Sequence, residues 1–354
     1  MLTSIKPNVR LSSNALTNWT EEIDGSMFLY LFSQENRLFE EAYPEDMESI
    51  DWTSLLFETA TNIKPSDARS LLGRELPGFS FFDREILVAG EGTDFTNLPI
   101  ESSPPLEAIG EDKEAVVDNV EENEVEGDPP LSTEDRNVVF VYSTHNRESF
   151  LPHIPDGKTP NDAFHSEVNI TLVNERFVKA LESQGIGAVA DDTDFYKKLV
   201  ENKMEYWQSY DVSRPVVKDA LQNNKDIKYI FDFHRDGVSR DVTTKEINGE
   251  SYARLMFVIG NEVDSFEKNY QFAKKLHEQL EEKYPGLSRG VVPQGGEGNN
   301  GVYNQDLSEN AIVVEFGGVY NDLNELYRTA DAFAEVFSEF YWEAEKVDAQ
   351  PSGS

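Results

Sequence analysis

The sequence predicts an α/β fold: a mainly parallel sheet with helices on both faces, preceded by a small N-terminal region. Three observations predict it. Short apolar, β-branched runs recur along the second half of the chain. Amphipathic stretches of helical period separate them, and turn residues mark the joints. Asn137 to Thr144 reads as a buried strand. Val168 to Ser183 reads as a helix with Ile170, Val173, Phe177 and Leu181 on one face and Gly185 as its stop. Ile186 to Ala190 is a second strand. Pro215 to Asn223 is a helix with proline in its first turn, and Ile227 to Phe233 a third strand. Asn248-Gly249 signals a hairpin. Phe266 to Tyr284 is a long amphipathic helix, Ala311 to Phe316 another buried strand, and Asp322 to Trp342 a terminal helix. Strands alternating with helices place most strands parallel.

Ahead of this the chain changes character twice. Residues 1–98 are of mixed structure: Leu16 to Phe39 has helical spacing, Ser66 to Leu72 reads as a short capped helix, and Ile86 to Ala89 is strand-like. Residues 99–136 read as an acidic linker with Pro104-Pro105 and Pro129-Pro130 near its ends. Between 101 and 135 thirteen carboxylates face one lysine, a composition that repels itself and buries little. The catalytic-domain candidate is 137–346, and 347–354 reads as a disordered tail.

Composition excludes several classes of function. The 354 residues hold 67 acidic and 31 basic side chains, a net charge of −36. Such a surface suits neither nucleic acid, whose phosphates require basic groups, nor an electrostatic dock on anionic lipid. With no cysteine, disulfides, thiol nucleophiles and thiolate metal sites are out. No apolar run is long enough to span a membrane, and no signal-peptide pattern opens the chain.

The chemistry-bearing candidates are few because histidines are few: His145, His153, His165, His234 and His277. His145 and His234 each follow an apolar strand, and in open α/β sheets ligands bind beyond the carboxyl ends of the strands. Glu315 ends another such strand. Two imidazoles and a carboxylate are a common ligand set for catalytic zinc, and a further glutamate can serve as general base. His145 and Glu148 form a His-x-x-Glu pair able to face one ion. Each has a plainer reading. His145 and His234 can be satisfied sheet-edge residues, Glu148 can pair with Arg147 or cap a helix, and His165 can be a cap or a ligand. His153 reads as structural and His277, in a charged helix, as solvated. Glu315 is harder to explain away, since a buried carboxylate costs several kcal/mol unless it is paired or coordinated. Gly296-x-Gly298-x-x-Gly301 spells the dinucleotide fingerprint, yet it follows a helix and a loop and precedes no helix, so its context fails.

At VYSTHNRESFLP (141–152) the chain resembles the stage II sporulation protein P family of endospore-forming bacteria. RELPGF (74–79), ILVAGEGTDFTNLPIESSPP (86–105), HSEVNITLV (165–173), SRPVVKDAL (213–221), DFHRDG (232–237), YPGLSRGV (284–291) and NGVYNQDLSENAIVVEFGG (300–318) extend the likeness over nearly the whole chain outside the acidic linker. The resemblance implies a catalytic part similar to the zinc N-acetylmuramoyl-L-alanine amidases. It implies a peptidoglycan hydrolase that cuts the amide between N-acetylmuramic acid and L-alanine and also peptide cross-links. By position it makes His145 and His234 zinc ligands and Glu315 the general base. The remaining ligand slot, a glutamate in the amidases, aligns with His165; His165 and Glu148 both remain candidates, with His165 slightly favoured as the ligand and Glu148 then catalytic, as an acid or as a group supporting the ligands from behind. Arg235 is a candidate for the oxyanion and Asp236 for substrate contact, an ordinary ion pair being the plainer reading of both.

The resemblance further implies action outside the cytoplasm during engulfment, an N-terminal membrane anchor not seen in these residues, and partnership with stage II sporulation proteins D and M. Two other readings stand beside it: a non-catalytic module that binds peptidoglycan or a partner, and a carboxypeptidase-like zinc peptidase.

Overall fold

Alternation along the central strands decides which side chains reach the site, because successive residues point to opposite faces of a sheet. The computed structural model describes residues 85–100, 105–110, 112–117, 120, 129–296 and 299–348. The chain divides into two compact units, Met1–Asp83 and Arg84–Ser354, and every described residue belongs to the second. The helices read over 16–39 and 66–72 lie outside the described residues.

Among the described residues the sheet has seven strands: β1 (Val88–Ala89), β2 (Asn137–Tyr142), β3 (Gly187–Ala190), β4 (Tyr229–Asp236), β7 (Leu255–Gly260), β8 (Ser288–Gln294) and β9 (Ala311–Gly318). Their order across the sheet is β1-β8-β7-β9-β4-β2-β3. β5 (Thr244–Ile247) and β6 (Glu250–Ala253) form a separate hairpin, turned at Asn248 and Gly249, both of positive φ. The helices are α1 (Leu106–Gly110), α2 (Thr171–Ser183), α3 (Phe195–Asn202), α4 (Ser209–Asn223), α5 (Arg240–Thr243), α6 (Phe266–Lys283) and α7 (Leu323–Asp348). β3, β2, β4 and β9 run parallel, as do β7 and β8. The two blocks meet antiparallel at β7 and β9, and β1 is antiparallel to β8. The fold is therefore α/β with a mainly parallel sheet, as the sequence predicts.

Phe231 and Phe233 of β4, with Val314 and Phe316 of β9, face the larger core, where α2, α6 and α7 contribute Phe177, Phe272, Leu276, Phe333 and Phe337. On the opposite face, α1, α3 and α4 pack Ile109, Phe195, Leu199 and Val217 onto Phe140, Tyr142 and Ile230. Beyond them on that face, Leu98, Tyr210 and Tyr303 cover Met256, Val258, Val292 and Val313. Asp232, His234 and Glu315, which fall between the residues of the larger core, project toward this second face.

Several sequence readings change. The helix read from Pro215 begins at Ser209, so proline stands inside it. The carbonyl left without an N–H partner belongs to Asp211, an exposed residue, on the side of the helix where such a loss costs least. β7 and β8 escaped the reading. The Gly296–Gly301 segment does follow a strand, β8, but it leads to a short 3-10 turn (Gln305–Leu307) and β9 rather than to a helix. The fingerprint fails for that second reason only.

Residues 85–100 and parts of 99–136 pack onto the sheet. The fully buried Arg289 donates to Asp236 Oδ2 (2.6 Å) and to the Asn97 carbonyl (2.5 Å). Arg254 donates to the carbonyls of Glu91, Gly286 and Val242. Ile100 gives its N–H to Asp236 Oδ1 and accepts from Gly237. In the acidic stretch, Ile109 is fully buried, Val116 pairs with the His153 carbonyl, and Asp112 holds Ser166.

His277 is buried, contrary to its expected solvated position. The charged letters around it mislead. It shares one stripe with Ala273, Leu276 and Leu280 of α6, and its Nδ1 meets Ser288 Oγ at 2.7 Å. Burial holds its pKa below the ordinary 6.5, against the pull of Glu281 and Glu278. The unfolded chain therefore binds a proton that the folded chain refuses. This contribution to stability is intact above about pH 6.5 and declines as pH falls from there to the folded-state value. Denaturant unfolding across that window should show a shallower pH dependence in His277→Gln than in the wild type.

Candidate metal centre

The first wall of the site is the turn after β2. Glu148 N–H bonds to the His145 carbonyl (2.9 Å), which closes a turn and brings the two side chains to one side. The rest of the loop is pinned residue by residue. Thr144 N–H and Oγ1 both bond Asp232 (2.8 Å each). Asn146 accepts from the N–H of Phe195, and Arg147 binds Asp194, the N-cap of α3. Ser149 Oγ binds the Val168 carbonyl. Backbone bonds from Ser149 to Ala163, His165 to Arg147 and Ile170 to Glu148 complete the clasp.

The second wall comes from parallel register. His234 of β4 lies beside Glu315 of β9. Across the gap, His145 Nδ1 is 3.8 Å from Glu148 Oε1, and His234 Nδ1 is 3.7 Å from Glu148 Oε2. One ligand atom from each of His145, Glu148 and His234 fits within 4.8 Å of the others, and all three residues are buried. Two ligands on a tetrahedral ion with ~2 Å bonds stand about 3.3 Å apart. The donor set of two imidazoles and a carboxylate fits a divalent cation with only small adjustment, so this cluster can hold a metal ion.

Electrostatics point the same way. Burial pulls the His234 pKa down, yet Asp232, Glu148 and Glu315 together push it up to about 10. Burial, with help from His234 and Arg235, holds His145 well below its ordinary value. Burial also raises Glu148, against the pull of Arg235 and His234. A dry pocket that protonates one imidazole so firmly is a pocket that seeks positive charge, and a metal ion and the His234 proton compete for it.

The remaining sequence candidates take different places. His165 stands outside the cluster; its Nδ1 accepts the N–H groups of Glu167 and Val168 (3.0 and 2.9 Å), as a cap does. His153 is structural: Nδ1 donates to the Val116 carbonyl and Nε2 accepts from Leu323 N–H at the start of α7. Arg235 is fully buried and donates to the carbonyls of Ser149, Pro160 and Ala163, so its guanidinium fastens the 149–163 loop. Its backbone N–H, not its side chain, serves the site, bonding Glu148 Oε2 at 3.0 Å. Asp236 pairs with Arg289 instead of facing the site.

Sequence reasoning missed Asp232, Tyr206, Tyr210 and Tyr303. Tyr206 stacks on the His145 ring with centroids 4.5 Å apart, and Tyr210 OH is 3.3 Å from His234 Nε2. Tyr303 lies edge-on to Tyr210 at 5.2 Å. Tyr303 and Asn304 both sit in the left-handed region (φ 52° and 55°), a strained pair. Asn304 Nδ2 bonds Ser213 Oγ and Tyr142 OH and so holds that strain in place. Asp232 was legible by the argument applied to Glu315, a carboxylate inside an apolar strand.

Fold and cluster together define an α/β protein with a candidate metal centre at the carboxyl edge of a mainly parallel sheet. The sequence profile of Stage II sporulation protein P (SpoIIP) matches residues 66–338. Stage II sporulation protein P of Bacillus subtilis (strain 168) is 48% identical over 355 residues, covering 99% of this chain and 88% of that protein. The chain belongs to the stage II sporulation protein P family. Among solved structures, an N-acetylmuramoyl-L-alanine amidase from Clostridium difficile 630 matches with TM-score 0.34 and 15% identity, over 61% of this chain and 99% of that one. The CwlD amidase of Clostridioides difficile, determined in complex with the GerS lipoprotein, matches with TM-score 0.37 and 14% identity, over 59% and 100%. Among the described residues, no helix is long and apolar enough to cross a membrane.

Metal present at a hundredfold over its Kd should stabilise the wild-type chain by about 2.7 kcal/mol. Thermal unfolding with and without metal should show most of that shift lost in Glu148→Gln and retained in His165→Ala.

Proposed function

We propose that this protein is a zinc-dependent peptidoglycan hydrolase that cleaves the N-acetylmuramoyl-L-alanine amide and peptide cross-links. The observation that carries the reading is the convergence of His145, Glu148 and His234 with Glu315 in register beside His234. In this reading Glu148 fills the third ligand slot, because it lies between the two imidazoles while His165 caps its own turn. Bound there, zinc supplies Lewis acidity toward water and toward the scissile carbonyl.

The chain's own residues do the rest. His145, Glu148 and His234 present their donor atoms from a closed turn and a parallel strand, so little reorganisation precedes binding. A Glu315 carboxylate oxygen takes the proton of the attacking water and passes it to the departing amine. Tyr206 covers the His145 ring and Tyr210 the His234 ring, with Tyr303 packed behind Tyr210. Arg235 holds the loop that carries Glu148, and no oxyanion role is assigned to it.

Family membership supports the setting: wall cutting outside the cytoplasm during engulfment, by a membrane-anchored enzyme working with stage II sporulation proteins D and M. A second reading, a carboxypeptidase-like zinc peptidase, is favoured by one observation: both members of the His-x-x-Glu pair enter the ligand cluster.

Glu315→Gln should bind zinc in a 1:1 ratio by metal analysis yet release less than about a hundredth of the wild-type products from purified sacculi, the scale of a lost general base. Undiminished release would remove Glu315 from the base role. Mass spectrometry of the wild-type digest separates the readings. Free muramic acid termini mark the amidase, single released amino acids the carboxypeptidase, and neither zinc nor products a binding module.

A further inference from the structure

We propose that Asp232 is a positioning residue that fixes the His234 ring with Nδ1 aimed at the metal centre; the inference rests on the metal reading of the site given above. Asp232 Oδ1 lies 3.1 Å from His234 Nε2. Tyr210 OH lies 3.3 Å from the same nitrogen; a carboxylate oxygen beside Nε2 is an acceptor for a hydrogen placed there, and Nδ1 is the nitrogen turned toward Glu148. Alternation along β4 puts residues 232 and 234 on the same face, which makes the contact a consequence of strand geometry.

Asp232 is itself immobile. It is buried; Oδ1 accepts from Thr144 N–H and Oδ2 from Thr144 Oγ1. Thr144 Oγ1 is tied in turn to Ser213 Oγ on α4 (3.0 Å), which Asn304 also binds. Three elements thus hold the carboxylate before any ligand arrives: the turn after β2, the strand β4 and the helix α4. A ligand histidine whose other nitrogen donates to a carboxylate is held in one tautomer and one ring orientation, and it becomes a better donor. Glu148 has a matching restraint in the Arg235 N–H, so two of the three cluster members are aimed by neighbours outside the cluster.

The test uses the full chain and zinc alone, competed against a chromophoric chelator. Asp232→Ala, which removes the acceptor, should weaken zinc about a hundredfold; Asp232→Asn, which keeps an acceptor but loses the charge, about tenfold. Zinc affinity within twofold of wild type in Asp232→Ala overturns the proposal. Should that variant fail to fold, the same result in Asp232→Asn overturns it. A wild-type chain that binds no zinc sinks the metal reading instead. The inference is then decided by the crystal structure of the zinc-free variant that folds. A His234 ring turned from its wild-type orientation supports the positioning role, and an unchanged ring overturns it.

Discussion

Buried negative charge at the carboxyl edge of a parallel sheet is the constraint on which the rest of this structure depends. Glu148, Asp232 and Glu315 are all buried and lie around the His234 imidazole, with Glu148 also facing His145. Left unbalanced, each such carboxylate would cost several kcal/mol. The fold keeps them because something positive sits among them. In the absence of metal that is the proton of His234, held so firmly that the imidazole's own burial is overridden. Parallel pairing of β4 with β9 makes the crowding unavoidable, since it sets His234 and Glu315 side by side on the face away from the larger core.

Much of the surrounding sequence serves to hold that charge in place. The five residues from His145 to Ser149 are divided between the cluster and the scaffold: His145 and Glu148 face the centre, while Asn146, Arg147 and Ser149 tie the loop to α3 and to the segment before α2. The Arg235 guanidinium anchors the same loop from beneath. This arrangement explains why a motif that looks rich in reactive groups contains several that never meet a ligand. The tyrosines against His145 and His234 complete a low-dielectric surround, in which electrostatic interactions act strongly.

The fold was legible where a single period dominated. The runs at 137, 227 and 311 are strands because they are apolar throughout, and α2, α6 and α7 show their stripes plainly. β7 was not read because a single residue separates it from β6, and β8 because it starts four residues after a long helix and its run is broken by Gly290 and Pro293. Of the site, His145, His234 and Glu315 were visible as ionisable groups at the ends of apolar strands. The choice between Glu148 and His165 was not visible, because spacing alone cannot say which of two nearby side chains a turn will bury beside the imidazoles. Arg235 misled for a related reason: a charged residue next to a ligand histidine invites a catalytic role, but alternation along β4 sends its side chain to the opposite side, under the loop. Asp232 needed only the parity of the strand.

The clasp formed by Arg254 and Arg289 has a bearing on where this protein can be cut. Both guanidinium groups lie inside the α/β body, yet they complete their hydrogen bonds on carbonyls of Glu91 and Asn97, well upstream of the first central strand. A fragment begun at Asn137 would leave two cations partly unsatisfied in a dry interior and would uncover Met256 and Val292, on which Leu98 now rests. Residues 85–100 are thus part of the same compact unit as the sheet, and a cut meant to spare that unit falls ahead of them.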